Sequence, residues 1–164
     1  MPKRVVEQES EITAILTVLT ESPKDIARIV HGCTDDQLHG KPAPDAWSAT
    51  EILAHLRACA EVWGRSIERM IAEDHPTIRY VSPRSWIRKT DFLDLSFQDS
   101  LRRFTEGRGR LVETLSALEW THWSRGATFT GTKLGRDATV LVYAKRIADH
   151  EQAHLDQLRR TVGA

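Results

Sequence analysis

The chain has 164 residues, enough for one domain with a sizeable core. Its 23 Lys+Arg balance 23 Asp+Glu to a formal net charge of zero, which argues against a dedicated nucleic-acid binder with its usual basic excess. Two cysteines, Cys33 and Cys59, make no disulfide framework, and no apolar run reaches bilayer length; with no signal-peptide core after Met1, a soluble cytoplasmic protein is expected.

Ile12, Ile15, Leu16, Leu19, Ile26, Ile29 and Val30 fall on one face at helical spacing, and the stripe keeps its phase across Pro23. Kept phase predicts one long helix kinked at the proline; a break with Ser22 as a new N-cap is the alternative. This helix should end near Gly32, before a loop at 41–45 that holds Pro42 and Pro44. Ser48 and Glu51 form a capping box, each placed to satisfy an orphan amide of the other. The second helix follows, with Ile52, His55, Leu56, Cys59, Trp63, Ile67 and Met70 inward, and stops at His75 and Pro76.

Residues 74–95, with Pro76, Pro83 and Trp86, read as a long connection of the kind that covers a site or a subunit contact. Ser96 caps a third helix carrying Phe97, Leu101, Phe104, Leu111, Leu115 and Leu118. Gly107 and Gly109 weaken its middle by up to about 1 kcal/mol each relative to alanine. Arg102, Arg103, Arg108 and Arg110, broken by Glu106 and Glu113, read as a solvated face, with anion steering the other use. A second polar connection, 119–136, contains Gly126, Gly131 and Gly135, and Asp137 is the expected N-cap of a fourth helix running to about Thr161. Four amphipathic helices without convincing strand alternation predict an all-α fold, a four-helix bundle in a single domain, 1–164.

His150 and His154 lie four apart on the fourth helix, about 6 Å apart at Cβ, so both imidazoles can reach one ion. Spacing alone is a weak signal, because a lone histidine on a helix face is usually a hydrogen-bonded, partly buried residue. The company strengthens it. His150 and His154 extend the inward stripe of Tyr143, Ile147 and Leu158, and His55 shares its face with Ile52, Leu56 and Cys59. Three histidines facing one core are costly to bury unless something binds them. Nitrogen ligands suit zinc, nickel, cobalt or iron, with zinc the default and nickel next.

Three imidazoles would leave an open, catalytic coordination sphere; adding Cys59 would close it as a structural zinc site. Glu51 could orient His55, although capping is its first use, and Asp149 and Asp156 point away from the histidine face. Trp63, Trp86, Trp120, Trp123 and Tyr143 are candidates for pocket walls or ordinary packing, and Trp47 reads as a hydrophobic staple. His31, His39, His75 and His122 fall at helix ends or in loops, where solvent is expected.

Pro42, Pro44, Asp45, Trp47, Ser48, Glu51 and His55, followed far downstream by Ala148, His150, His154, Leu155 and Leu158, resemble the DinB-like bundles in order and spacing over about residues 10–160. The resemblance implies an up-down-down-up four-helix bundle, a homodimer, and a divalent metal at His55, His150 and His154. It also implies a metal-dependent enzyme acting on a small-molecule substrate. Thiol S-transferases using bacillithiol or mycothiol, a mycothiol-dependent maleylpyruvate isomerase and metal-dependent hydrolases all belong to that family. The family name comes from DNA-damage induction and implies a stress-response setting, not a polymerase. The chain closes ten residues after His154, which lowers the isomerase reading. Thiol transfer leads, hydrolysis is the nearest alternative, and a non-catalytic, ligand-binding dimeric bundle is a third.

Overall fold

The structure, a computed structural model, describes residues 3–132 and 136–164; Met1 and Gly135, named above, lie outside them. Helix α1, Lys3–Ile29, runs through Pro23 without a break, as the unshifted apolar stripe predicts. The proline leaves the Leu19 carbonyl without its helical donor. Beside it, the Ser22 hydroxyl turns back to the Val18 carbonyl at 2.8 Å. A short helix, α2 (Asp35–His39), is started by a Thr34–Gln37 capping box.

Helix α3, Ala49–Ala72, begins at the Ser48–Glu51 box: Ser48 Oγ accepts from the Glu51 amide at 3.2 Å, and the Glu51 carboxylate accepts from the Ser48 amide at 2.8 Å. After it come β1 (Thr77–Arg79), α4 (Pro83–Ile87) and α5 (Phe97–Ser116), the last capped by Ser96 as expected. A 3₁₀ turn (Trp120–Ser124), β2 (Gly126–Thr130) and β3 (Asp137–Thr139) lead into α6 (Val140–Val162). The N-cap of α6 is Thr139, not Asp137, because Asp137 is taken up in β3, where Thr128 donates to its carboxylate at 2.8 Å.

The four long helices form a four-helix bundle in which α1 and α3 each lie between α5 and α6. Two core layers reveal the directions. One joins Ile26 and Val30 at the end of α1 to Ile52 and Leu56 at the start of α3, Phe97 and Leu101 at the start of α5, and Leu155 and Leu158 near the end of α6. The other joins Ile15 and Leu19 to Ile67 and Met70, Leu115, and Val140 and Tyr143. Thus α1 and α6 run one way, α3 and α5 the other, and α3 lies antiparallel against α6. That is the up-down-down-up arrangement. Among the described residues no helix is long and apolar enough to cross a membrane.

The two long connections hold a three-stranded sheet that the sequence reading did not anticipate. β1 pairs parallel with β2 (Ile78 opposite Phe129), and β2 antiparallel with β3 (Ala127 opposite Ala138). Strands of three to five residues are too short to display alternation, although Ile78, Ala127 and Phe129 do point into the core. Gly126 is required where it stands: a Cβ there would come within 2.8 Å of the Ala138 carbonyl oxygen. Arg125 locks the sheet to α3 by donating to the Met70 carbonyl at 2.9 Å and the Glu73 carbonyl at 2.7 Å.

Arg108 is not on a solvated face. It is 2% exposed and forms an ion pair with Glu151, also 2% exposed, between α5 and α6. Arg102, Arg103 and Arg110 are exposed, as expected. Burial raises the Glu151 pKa, and the Arg108 charge opposes that rise. Removing one member of such a pair leaves the other charged and unpaired. Glu151→Ala should therefore lower unfolding free energy by about 3–5 kcal/mol, whereas Arg108→Met/Glu151→Leu should recover most of that loss. Urea unfolding of the three proteins checks this, and a double variant as unstable as the single one would refute it.

Candidate metal centre

The antiparallel contact of α3 and α6 sets the first half of one helix against the second half of the other. His55, two turns into α3, thereby meets His154, about two turns before the end of α6, and His150, one turn earlier. His150 Nε2 lies 3.1 Å from His55 Nε2 and 3.1 Å from His154 Nε2. Cys59, one turn after His55, brings its Sγ to 3.5 Å from His55 Nε2 and 3.9 Å from His150 Nε2. The donor atoms of His55, Cys59 and His150 all fall within 4.8 Å of one another, and His154 joins them through His150.

These distances suit a shared cation. Nitrogens bound to one tetrahedral ion at ordinary zinc–nitrogen lengths stand about 3.3 Å apart, and a nitrogen and a thiolate sulfur about 3.5 Å apart. Hydrogen bonding alone pairs the cluster incompletely: the buried Nδ1 atoms of His55 and His150 have no partner. Gln157 Oε1 accepts a hydrogen bond from His154 Nδ1–H at 2.7 Å, which leaves the lone pair on His154 Nε2. His150 Nε2, with at most one proton, cannot satisfy both its neighbours.

Protonating the cluster is also disfavoured. Burial, then the neighbouring His154 and Arg84 charges, lower the His55 pKa to about 4. Burial, then His154 and His55, lower that of His150 to about 4, and burial lowers that of His154. Neutral imidazoles with converging lone pairs are what a transition metal requires. Burial, helped by the Glu151 charge, pushes the Cys59 thiol well above its ordinary value, so the thiol stays protonated.

Tryptophans wall the centre. Trp63 meets His150 edge-on with ring centroids 5.0 Å apart, and Trp47 stacks on His154 at 6.1 Å and tilts against His55 at 5.1 Å. Trp47 is thus more than a staple, which its position before the cap did not disclose. Of the other candidate walls, Trp86 donates to Glu61, Trp120 sits in the 3₁₀ turn, and Trp123 and Tyr143 are core residues. Glu51 serves its cap and Lys41, Asp149 faces Lys145 and Asp156 faces Arg159, so none of them orients a ligand. His31, His39 and His75 are exposed and His122 is half-buried. Gln157 was missed, although its spacing of three after His154 on the same helix was the available signal.

A bundle with two crossing connections and a histidine cluster between its second and fourth long helices defines a class. This chain belongs to the DinB superfamily, which it matches over residues 19–158. Among solved structures it is similar to YfiT from Bacillus subtilis, described as a probable metal-dependent hydrolase with an unusual four-helix bundle topology. The TM-score is 0.75 at 24% sequence identity, over 93% of this chain and 87% of that one; at that identity the likeness speaks for the fold. No curated protein matches the chain.

The lowered histidine pKa values have a pH signature. Folded His55 and His150 resist protonation down to about pH 4, whereas their ordinary value is 6.5. Below 6.5 the unfolded chain binds more protons than the folded one, so their contribution to stability is intact above 6.5 and falls away toward pH 4. In metal-free protein, the difference between wild type and His55→Gln/His150→Gln should shrink across that interval. Urea midpoints in a pH series measure it; a pH-independent difference would remove the two histidines as its source.

Proposed function

We propose that the chain is a metal-dependent enzyme in which His55, His150 and His154 hold a divalent transition metal, zinc or nickel. The observation that carries this is the convergence of three neutral imidazoles at Nε2 between α3 and α6. With no anionic ligand, the ion would keep its full charge and supply Lewis acidity, lowering the pKa of a bound thiol or water or polarising a carbonyl. Gln157 fixes the His154 tautomer. Trp47 and Trp63 pack on the imidazoles and shield them from bulk water. Cys59, whose thiol is protonated in the metal-free protein, stands beside the ligand set; without it as a ligand the centre stays open to substrate, and the Cys59→Ala variant decides this.

The finer reading is transfer of a low-molecular-weight thiol to an electrophilic small molecule, supported by the family resemblance of the two histidine motifs. Hydrolysis is the second reading, supported by the description of YfiT. The chain then acts as one bundle domain, 1–164, in a cytoplasmic homodimer, without nucleic acid or membrane as partner.

Metal analysis of untagged protein tests the centre. One ion per chain should be present in wild type and in Cys59→Ala and absent from His150→Ala/His154→Ala. Loss in Cys59→Ala would mean a closed structural site, and no ion in wild type offered zinc and nickel would leave a non-catalytic bundle. With the metal in place, thiol-dependent consumption of an activated aryl halide should exceed the thiol-independent hydrolysis of an activated ester. The reverse order would favour the hydrolase.

A further inference from the structure

On the side of α3 turned away from the histidines, α3 and α5 run parallel and diverge around a cavity of about 600 Å³. Its volume is that of a small-molecule pocket. Two buried guanidinium groups line it. Arg57, 5% exposed, donates to Ser100 Oγ at 3.0 Å and lies 3.8 Å over the Phe92 ring. Among the described residues no carboxylate comes within ion-pair distance of it. Arg108, 2% exposed, gives one nitrogen to Glu151, but its Nε and Nη1 have no hydrogen-bond partner.

Glu61 and Asp91 act on Arg57 from beyond ion-pair distance, so a buried cation whose direct contacts are a hydroxyl and a ring is only partly compensated, and two buried guanidinium donors of Arg108 have nothing to bind. Burial is accordingly the largest influence on Arg57, and it lowers the Arg57 pKa. The exposed Arg103 and Arg110 stand at the rim of the same cavity. Of the three carboxylates there, Glu61 accepts from Trp86 at 2.9 Å, Glu106 faces Arg102 at 3.5 Å, and Glu68 is exposed at the rim, beside the lining Arg65. Phe92 and Phe104 supply aromatic wall.

We propose that this groove is a binding site for a small organic anion, an aromatic or apolar body carrying a carboxylate or phosphate, held by Arg57 and Arg108. The anion head offers Arg57 the charged acceptor it lacks and gives a partner to the Arg108 nitrogens that Glu151 leaves open, in the paired geometry that guanidinium and oxyanion favour. The body lies against Phe92 and Phe104. The site is separate from the histidine centre and independent of what that centre does, since its arginines sit on α5 and on the far side of α3.

Arginine Nε–Hε resonances of the whole ¹⁵N-labelled protein report on it directly. Phenyl phosphate, benzoate and inorganic phosphate are the probes. Phenyl phosphate or benzoate should shift the Arg57 and Arg108 signals saturably and at lower concentration than inorganic phosphate; the tighter of the two identifies the head group. Arg108→Met/Glu151→Leu, which keeps the helix contact apolar, should weaken binding at least tenfold. Arg103→Gln/Arg110→Gln, at the exposed rim, should weaken it several-fold with the fold intact, and His150→Ala/His154→Ala should leave it unchanged. No saturable shift up to about 10 mM of any probe, indifference to both arginine pairs, or loss in the histidine pair would overturn the proposal.

Discussion

The register of α3 against α6 is the constraint on which the centre depends. A slip of one residue along either helix moves a side chain about 1.5 Å and turns it about 100°, enough to separate imidazole nitrogens that now stand 3.1 Å apart. The register is held above and below the histidines. On one side Ile52, Leu56, Leu155 and Leu158 share a core layer; on the other Cys59, Trp63, Tyr143 and Ile147 share the next. The Ser48 cap fixes where α3 begins, and the Thr139 cap fixes where α6 begins. The histidines occupy the seam between two apolar layers, where water is scarce and geometry is rigid.

Two buried polar clusters lie side by side in this bundle and meet the cost of burial differently. The histidines lose their charge: with the pKa values of His55 and His150 near 4 and that of His154 lowered by burial, their lone pairs stay available. Arg108 and Glu151 keep theirs and are paired. Glu151 follows His150 directly in the chain, so the two clusters share one turn of α6 while facing different neighbours, α3 for the imidazole and α5 for the carboxylate. The Glu151 charge still reaches Cys59 and helps to hold its thiol protonated.

Much of this was legible in the sequence because it rests on local rules. The Ser48–Glu51 box, the Ser96 cap, the unshifted stripe across Pro23 and the inward position of His55, His150 and His154 all follow from spacing. What escaped depends on contacts distant in sequence. The sheet pairs residues about fifty positions apart through strands too short to show a period, and it removed Asp137 from the expected cap. Arg108 was read with its charged neighbours, although it stands at helical spacing from Phe104 and Leu115 on the buried stripe. Glu151 likewise interrupts the run from Ile147 to Leu155 on the inward face. A charge of each sign on a core stripe was the signal for a buried pair, and composition of the surrounding segment concealed it. Trp47 gave no such signal, because its contacts with His55 and His154 exist only once α3 and α6 have met.

The clasp formed by β1, β2 and Arg125 has a consequence for the order of assembly. Its parallel pairing closes a chain segment of about fifty residues and cannot be rewarded until α5 has docked, because that segment includes the whole of α5. Helical layers rich in local contacts form sooner. The clasp is therefore a late fastening, made after the histidines have been brought level. Once made, it ties the end of α3 to the approach to α6, and the bundle is firmer at that end than at the loop before Trp47. At the Trp47 end, by contrast, the helices are held by a layer of buried side chains, Leu38, Ile52, Phe97 and Leu155 among them.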